Sequence, residues 1–243
     1  MHYGPPPIFP DSLRIQRARR IAIGGMAQVY LAERALHGGV LQPVVAKYML
    51  PQFAHDPEFV SRFRDEARIG LMLRHGNIVR VLDYAEVDER YLIIMEYVDG
   101  FDLRAVMGRR AEEKRPFPEV VAAQFALGLV QALAYIAELR GADGEHLNIV
   151  HRDISPTNLL VSRRGVVKLA DFGVAKGEYR ETASTVQGFF GKYAYMSPEQ
   201  ILGKQLDSRS DLYSFASVLY LALTGRRVTT GEGIAEVMMD VLK

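Results

Sequence analysis

The chain has 243 residues, 49% of them hydrophobic and 24% charged, enough to bury a sizeable core in one large domain or two lobes. Thirty Lys and Arg against 29 Asp and Glu leave a formal charge of +1, so no overall field favours nucleic acid or an anionic membrane as a partner. The chain contains no cysteine, which excludes disulfides, thiolate metal sites and thiol nucleophiles and agrees with a reducing compartment, cytoplasm by default.

The opening MHYGPPPIFPDSLRIQRARR lacks the apolar core of a signal peptide, and its prolines favour an extended arm. Residues up to about Pro10 read as a loose leader. From there to Gly100 the pattern is mostly strand: RRIAIGG, AQVYLAER, QPVVAKYML, NIVRVLDYAEV and RYLIIMEYV are β-branched or alternating and bounded by turn residues. One helix interrupts them. DPEFVSRFRDEARIGLMLR offers Asp56 as N-cap and Pro57 at the first helical position, with Val60, Phe63, Ala67, Leu71 and Arg74 at helical spacing.

After Gly100 helices dominate. They are predicted over Pro118 to Arg140, ended by Gly141; over Ser208 to Thr224, ended by Gly225; and over Ile234 to Leu242. Val120 to Leu139 approaches the roughly 20 residues that span a bilayer, but Gln124, Gln131 and Glu138 favour a buried helix of a soluble protein. The composition changes near Glu96 to Gly100, which divides the chain into residues 1–98 and 99–243.

The groups that carry chemistry gather around that division. IAIGGMAQVYLAE is a strand, a glycine turn and a strand, in which missing side chains let backbone N–H groups approach a phosphate; an ordinary hairpin has the same wording. Lys47 on a predicted strand and Glu66 on the helix are, taken singly, as expected of solvated surface residues. The second half is more specific. In VHRDISPTNLL, Asp153 and Asn158 are separated by four residues, and DFG begins at Asp171, thirteen residues after Asn158, with the short apolar strands NLLVS and VVKLA between. Two carboxylates and an amide in this order can accept a hydroxyl proton and bind a hard cation through oxygen, as magnesium prefers.

With GKYAYMSPEQ and DSRSDLYSF following, the chain resembles a protein kinase catalytic domain over roughly Arg19 to Gly225, and GGMAQVYLAE and YMSPEQ are the wording of the eukaryotic-like serine/threonine kinases of bacteria. The resemblance implies an α+β, bilobal fold: a small β-rich N-lobe with one regulatory helix and a larger helical C-lobe. It implies transfer of the γ-phosphate of Mg-ATP to serine or threonine hydroxyls of a protein substrate. Gly24 and Gly25 then cover the phosphates, Val29 lines the nucleotide site, Lys47 holds the α/β-phosphates, and Glu66 pairs with Lys47. Met95 is the gatekeeper beside the adenine pocket and Glu96 to Val98 the hinge. Asp153 accepts the hydroxyl proton, Asn158 and Asp171 carry magnesium, and Asp211 anchors the catalytic loop. Arg152 is the cation that meets a phosphorylated activation loop, for which Thr182, Ser184 and Thr185 are the candidates.

Departures from the family pattern give further expectations. Ala22 and Ala27 replace two of the three glycines of the phosphate loop. Gly70, one turn beyond Glu66, stands where relatives place a bulky apolar residue and costs about 1 kcal/mol of helix stability relative to alanine. The chain stops at Lys243, short of the last kinase helices and of an arginine for Glu199, so a C-terminally truncated lobe is expected. Ser155 occupies the place of the lysine that neutralises the γ-phosphate, and Lys192 the place of a threonine beside Asp153; the cation is expected to have moved to Lys192, which joins the catalytic residues. A pseudokinase or nucleotide-binding scaffold is the alternative. The partners implied are ATP and a protein substrate, with a homodimer left open and neither nucleic acid nor a membrane called for by this segment.

Overall fold

The computed structural model describes residues 9–87, 90–113, 117–172 and 192–243. The chain divides into two compact units, Met1–Arg74 with Arg80–Tyr97 and His75–Val79 with Val98–Lys243. The short segment 75–79, which the sequence pattern assigns to the first lobe, is thus counted with the second unit, and Val98 opens that unit rather than closing the first.

The first unit is a five-stranded antiparallel sheet in the order β1-β2-β3-β5-β4, formed by β1 (Ile15–Ile23), β2 (Ala27–Ala35), β3 (Leu41–Met49), β4 (Val81–Val87) and β5 (Arg90–Glu96). Alternation sorts its side chains. Tyr30, Ala32, Val44, Ala46, Tyr48, Leu92 and Ile94 bury themselves on one face together with Leu13. Phe9 meets the Tyr30 ring edge-on at 6.4 Å, so the arm read as loose is packed from Phe9 onward. The opposite face carries Val29, Lys47 and Ile93, which are directly paired across β2, β3 and β5.

Helix α1 (Pro57–Met72) starts as the sequence predicts: the Asp56 carboxylate accepts the Glu58 and Phe59 N–H groups, and Pro57 fills the first turn. Its buried stripe is Val60, Phe63, Glu66, Ala67 and Gly70. Leu71 faces solvent and Arg74 lies beyond the helix, whereas Leu73, just past its end, is buried. The glycine at 70 is a packing requirement. A Cβ there would lie 2.3 Å from Val81 Cγ2 on β4, so only glycine permits this approach of helix to sheet.

The second unit holds a three-stranded sheet of β6 (Gly100–Asp102), β7 (Leu159–Ser162) and β8 (Val167–Leu169) and the helices α2 (Leu103–Glu112), α3 (Glu119–Ala137), α4 (Pro198–Ile201), α5 (Ser208–Thr224) and α6 (Ile234–Leu242). Helices α5 and α6 match their predicted spans, and α5 ends on Gly225 at φ 68°. Helix α3 ends at Ala137, three residues before the predicted Arg140. It is the one described helix long and apolar enough to cross a membrane; here Ala122, Phe125, Leu129, Ala132, Leu133 and Ile136 are buried, and the helix packs on α5 and β8. Strand β6 and α2 escape sequence reading: three residues carry no period, and four of the ten residues of α2 are charged.

Candidate active site

In the first unit, the Lys47 side chain is half-buried and its Nζ lies 2.5 Å from Oε1 of the buried Glu66, an ion pair that fixes β3 to α1. Neither residue is the solvated surface charge that its position alone suggests. Val29 stands directly opposite Lys47, and Met95, buried on β5, stands opposite Val45, one alternate position along the same face. Gly24 and Gly25 form the exposed turn between β1 and β2, closed by the Gly24 N–H donating to the Ala27 carbonyl at 2.8 Å. Glu96 ends β5, its N–H given to the Arg80 carbonyl at 2.9 Å.

In the second unit, the loop from Val150 to Asn158 carries a cluster of buried polar groups: His151, Asp153, Ser155 and Asn158. Each has an assigned partner, as buried polar atoms require. The His151 and Arg152 N–H groups donate to the two carboxylate oxygens of Asp211 at 2.7 and 2.9 Å. Burial pushes the Asp211 carboxyl above its ordinary pKa, while His151, Arg152 and these two N–H groups pull it back. His151 Nε2 donates to the Ala170 carbonyl at 3.2 Å, which leaves Nδ1 to accept the Asp153 N–H at 3.3 Å, and its ring lies 4.7 Å from that of Phe172. Arg152 adopts φ 67° and Asp171 φ 55°, left-handed conformations that only surrounding bonds can impose on such residues.

The Asp153 carboxylate is held from two sides. Asn158 Nδ2 donates to the Asp153 carbonyl at 2.8 Å and to its Oδ2 at 2.7 Å, and Lys192 Nζ donates to the same Oδ2 at 2.7 Å. Both amide protons of Asn158 are thereby used, so its Oδ1 is the atom left with lone pairs to offer. The Ala170 N–H donates to the Asn158 carbonyl at 2.8 Å, which ties the residue before Asp171 to Asn158. An amide oxygen and an exposed carboxylate are the hard donors that a magnesium ion accepts, although among the described residues no three His, Asp or Glu side chains converge as a metal site. Ser155 bonds Thr157 through their hydroxyls at 3.0 Å.

Two contacts were not foreseen from the sequence. Glu199, expected to want an arginine, accepts the Ser210 hydroxyl at 2.5 Å; burial works against its charge, but this and neighbouring donors hold its carboxyl below the ordinary value. Gln200 reaches the loop that carries Asp153, its Nε2 donating to the Arg152 carbonyl at 2.9 Å. The Ser-x-x-Gln spacing of SPEQ is a helix-start signature that marks Gln200 as a cap but not this second bond. Gly173, Thr182, Ser184 and Thr185 lie outside the described residues.

Comparison assigns the class: residues 15–242 match the family model described as the protein kinase domain, and the chain belongs to that family. Among curated relatives, it is 37% identical over 225 residues to the tyrosine-protein kinase MasK of Myxococcus xanthus, covering 93% of this chain and 35% of that one. It is 36% identical over 232 residues to the serine/threonine-protein kinase PrkC of Bacillus subtilis, covering 95% and 33%, and 33% identical over 235 residues to the serine/threonine-protein kinase PknA of Mycobacterium tuberculosis, covering 95% and 51%. The chain thus spans from about a third to half of the length of these relatives.

Proposed function

We propose that this chain is a bacterial protein kinase domain that transfers the γ-phosphate of ATP to serine or threonine hydroxyls of a protein. The observation that carries the reading is the Asp153 carboxylate, buried and fixed by Asn158 and Lys192, with Asn158 tied in turn to Ala170, the residue before Asp171. In the transfer, the acceptor oxygen forms a bond to the γ-phosphorus, the bond to the ADP oxygen breaks, and the hydroxyl proton passes to Asp153. Asn158 and Asp171 are the residues to hold magnesium, whose charge, when bound, offsets that of the phosphates. Lys47, oriented by Glu66, binds the α/β-phosphates; Gly24 and Gly25 lie over them; Val29 and Met95 line the base, and the backbone from Glu96 to Val98 reads its edge. Because little covalent chemistry is asked of the protein, most of its contribution is position and charge.

Serine or threonine is the favoured acceptor because neither Ser155 nor Thr157 is the arginine that marks tyrosine kinases, and PrkC and PknA carry serine/threonine in their names, whereas MasK carries tyrosine. Phosphorylation within residues 182–185, read by Arg152, is the proposed control, and cytoplasm the proposed compartment. The test is incubation of the purified chain with labelled ATP and peptides that differ only in serine, threonine or tyrosine. Labelled serine or threonine supports the reading; label on tyrosine alone changes the acceptor, and none at all with intact nucleotide binding favours a scaffold.

A further inference from the structure

Arg152 is the residue whose backbone aims Asp153, and it sits at φ 67°, a conformation of the kind that costs a non-glycine residue roughly 1 kcal/mol or more. Such a residue stays put only if both peptide groups that flank it are held. Its N–H is held by Asp211 on α5. Its carbonyl is held by the Gln200 side chain of α4, at 2.9 Å.

The Gln200 amide is committed on both sides. Its Oε1 accepts the Ser197 N–H at 2.9 Å, which fixes which end of the amide is which, so that Nε2 is the end presented to Arg152. The short segment 192–200 therefore grips the loop twice, through Lys192 on the Asp153 carboxylate and through Gln200 on the preceding carbonyl.

We infer that Gln200 is a positioning residue for catalysis: its N–H donor locks the Arg152–Asp153 peptide so that the Asp153 carboxylate keeps the direction required of the proton acceptor. The inference rests on the kinase reading above. Capping of α4 alone would need only Oε1, and the donor half of the amide is what distinguishes the two roles.

Substitutions that separate donor from acceptor decide it. Gln200→Lys keeps a donor and loses the cap acceptor; Gln200→Met loses both; Gln200→Glu keeps the acceptor and sets a carboxylate against a carbonyl oxygen. The expected kcat is near wild type for Gln200→Lys and lower by about tenfold for Gln200→Met, with KM for ATP little changed in either. For Gln200→Glu the loss in kcat is at least as large as for Gln200→Met, because a carboxylate held by the Ser197 N–H repels the Arg152 carbonyl where the amide donated. Amide hydrogen exchange over residues 150–158, measured without nucleotide, is expected to quicken in the methionine and glutamate variants only. Equal kcat for Gln200→Lys and Gln200→Met, or a wild-type kcat in Gln200→Glu, overturns the inference. Absence of transfer by the wild-type chain would instead remove the reading of function, and the exchange rates alone would then decide whether Gln200 holds the loop.

Discussion

Gly70 on α1 and Val81 on β4 form one close contact in which the missing side chain of the first is the seat of the second: a Cβ at 70 would come within 2.3 Å of Val81 Cγ2. The same helix carries Glu66, whose bond to Lys47 depends on how near α1 lies to the sheet. Gly70→Ala should therefore destabilise the first unit even though alanine is the better helix former by about 1 kcal/mol, because overpacking costs about 1 to 3 kcal/mol. A lower Tm with reduced activity is the expected result, and Val81→Ala in the same background should restore part of both. A Tm raised by Gly70→Ala alone would show that the helix can move away without loss.

Lys47→Met and Asp171→Ala should each abolish phosphotransfer while leaving the melting curve nearly unchanged. Lys47 stands on the face of the sheet opposite its apolar core, and Asp171 is exposed, so neither change opens a cavity in that core. The larger cost of the first change is loss of the Lys47 bond to the buried Glu66 carboxylate. Full activity in either variant would remove the kinase reading.

What the sequence made legible was local or verbal. Asp56 and Pro57 mark the start of α1, Gly225 the end of α5, and the wording around Asp153 singles out the loop of buried polar groups, because caps, breakers and fixed spacings act over a few residues. The stripe of α1 was misread at Leu71 because a buried ion pair and a glycine contact put Glu66 and Gly70 inside, which hydrophobic spacing cannot show. The reach of Gln200 to Arg152 spans 48 positions of the chain, and that of Ser210 to Glu199 replaces an expected arginine by a hydroxyl. Such contacts are set by tertiary packing, which no window of sequence contains.

The loop before α6 should open in acid. The Asp240 carboxylate accepts the Thr230 N–H at 2.9 Å, the Thr230 hydroxyl and the Gly231 N–H at 3.1 Å each, and Lys243 Nζ at 3.0 Å. The Thr230 N–H first, then Lys243 and the hydroxyl, hold its pKa at about 2, below the ordinary 3.8. A carboxyl lowered by folding gives its stabilisation above the ordinary value and loses it as pH falls through the folded one. Exchange at the Thr230 and Gly231 amides should therefore quicken, after correction for intrinsic rates, as pH drops from 4 to 2, the window between those two values. Asp240→Asn should show that looser state already at pH 7. Identical corrected rates in the two proteins at pH 7 would mean that the carboxylate does not hold the loop.

The contact of Lys192 with Asp153 gives the most specific test of how this site works. Relatives of the pattern place a lysine two residues after the catalytic aspartate, where this chain has Ser155, and a threonine where it has Lys192. In the structure the ammonium lies 2.7 Å from Asp153 Oδ2 while the Ser155 hydroxyl is turned to Thr157. A cation here can neutralise the γ-phosphate as it moves and can also orient the carboxylate that takes the proton. Either way its loss falls on the transition state more than on ground-state binding, so Lys192→Ala should lower kcat with little change in KM for ATP, by roughly 2 to 4 kcal/mol, the scale of one preorganised charge donor. Ser155→Lys combined with Lys192→Thr returns the cation to the place it holds in relatives and should recover much of that loss, whereas Ser155→Lys alone sets two ammonium groups beside one carboxylate and should not improve on the wild type. Near-normal turnover in Lys192→Ala would show that the contact is structural and that the site runs without a lysine beside Asp153.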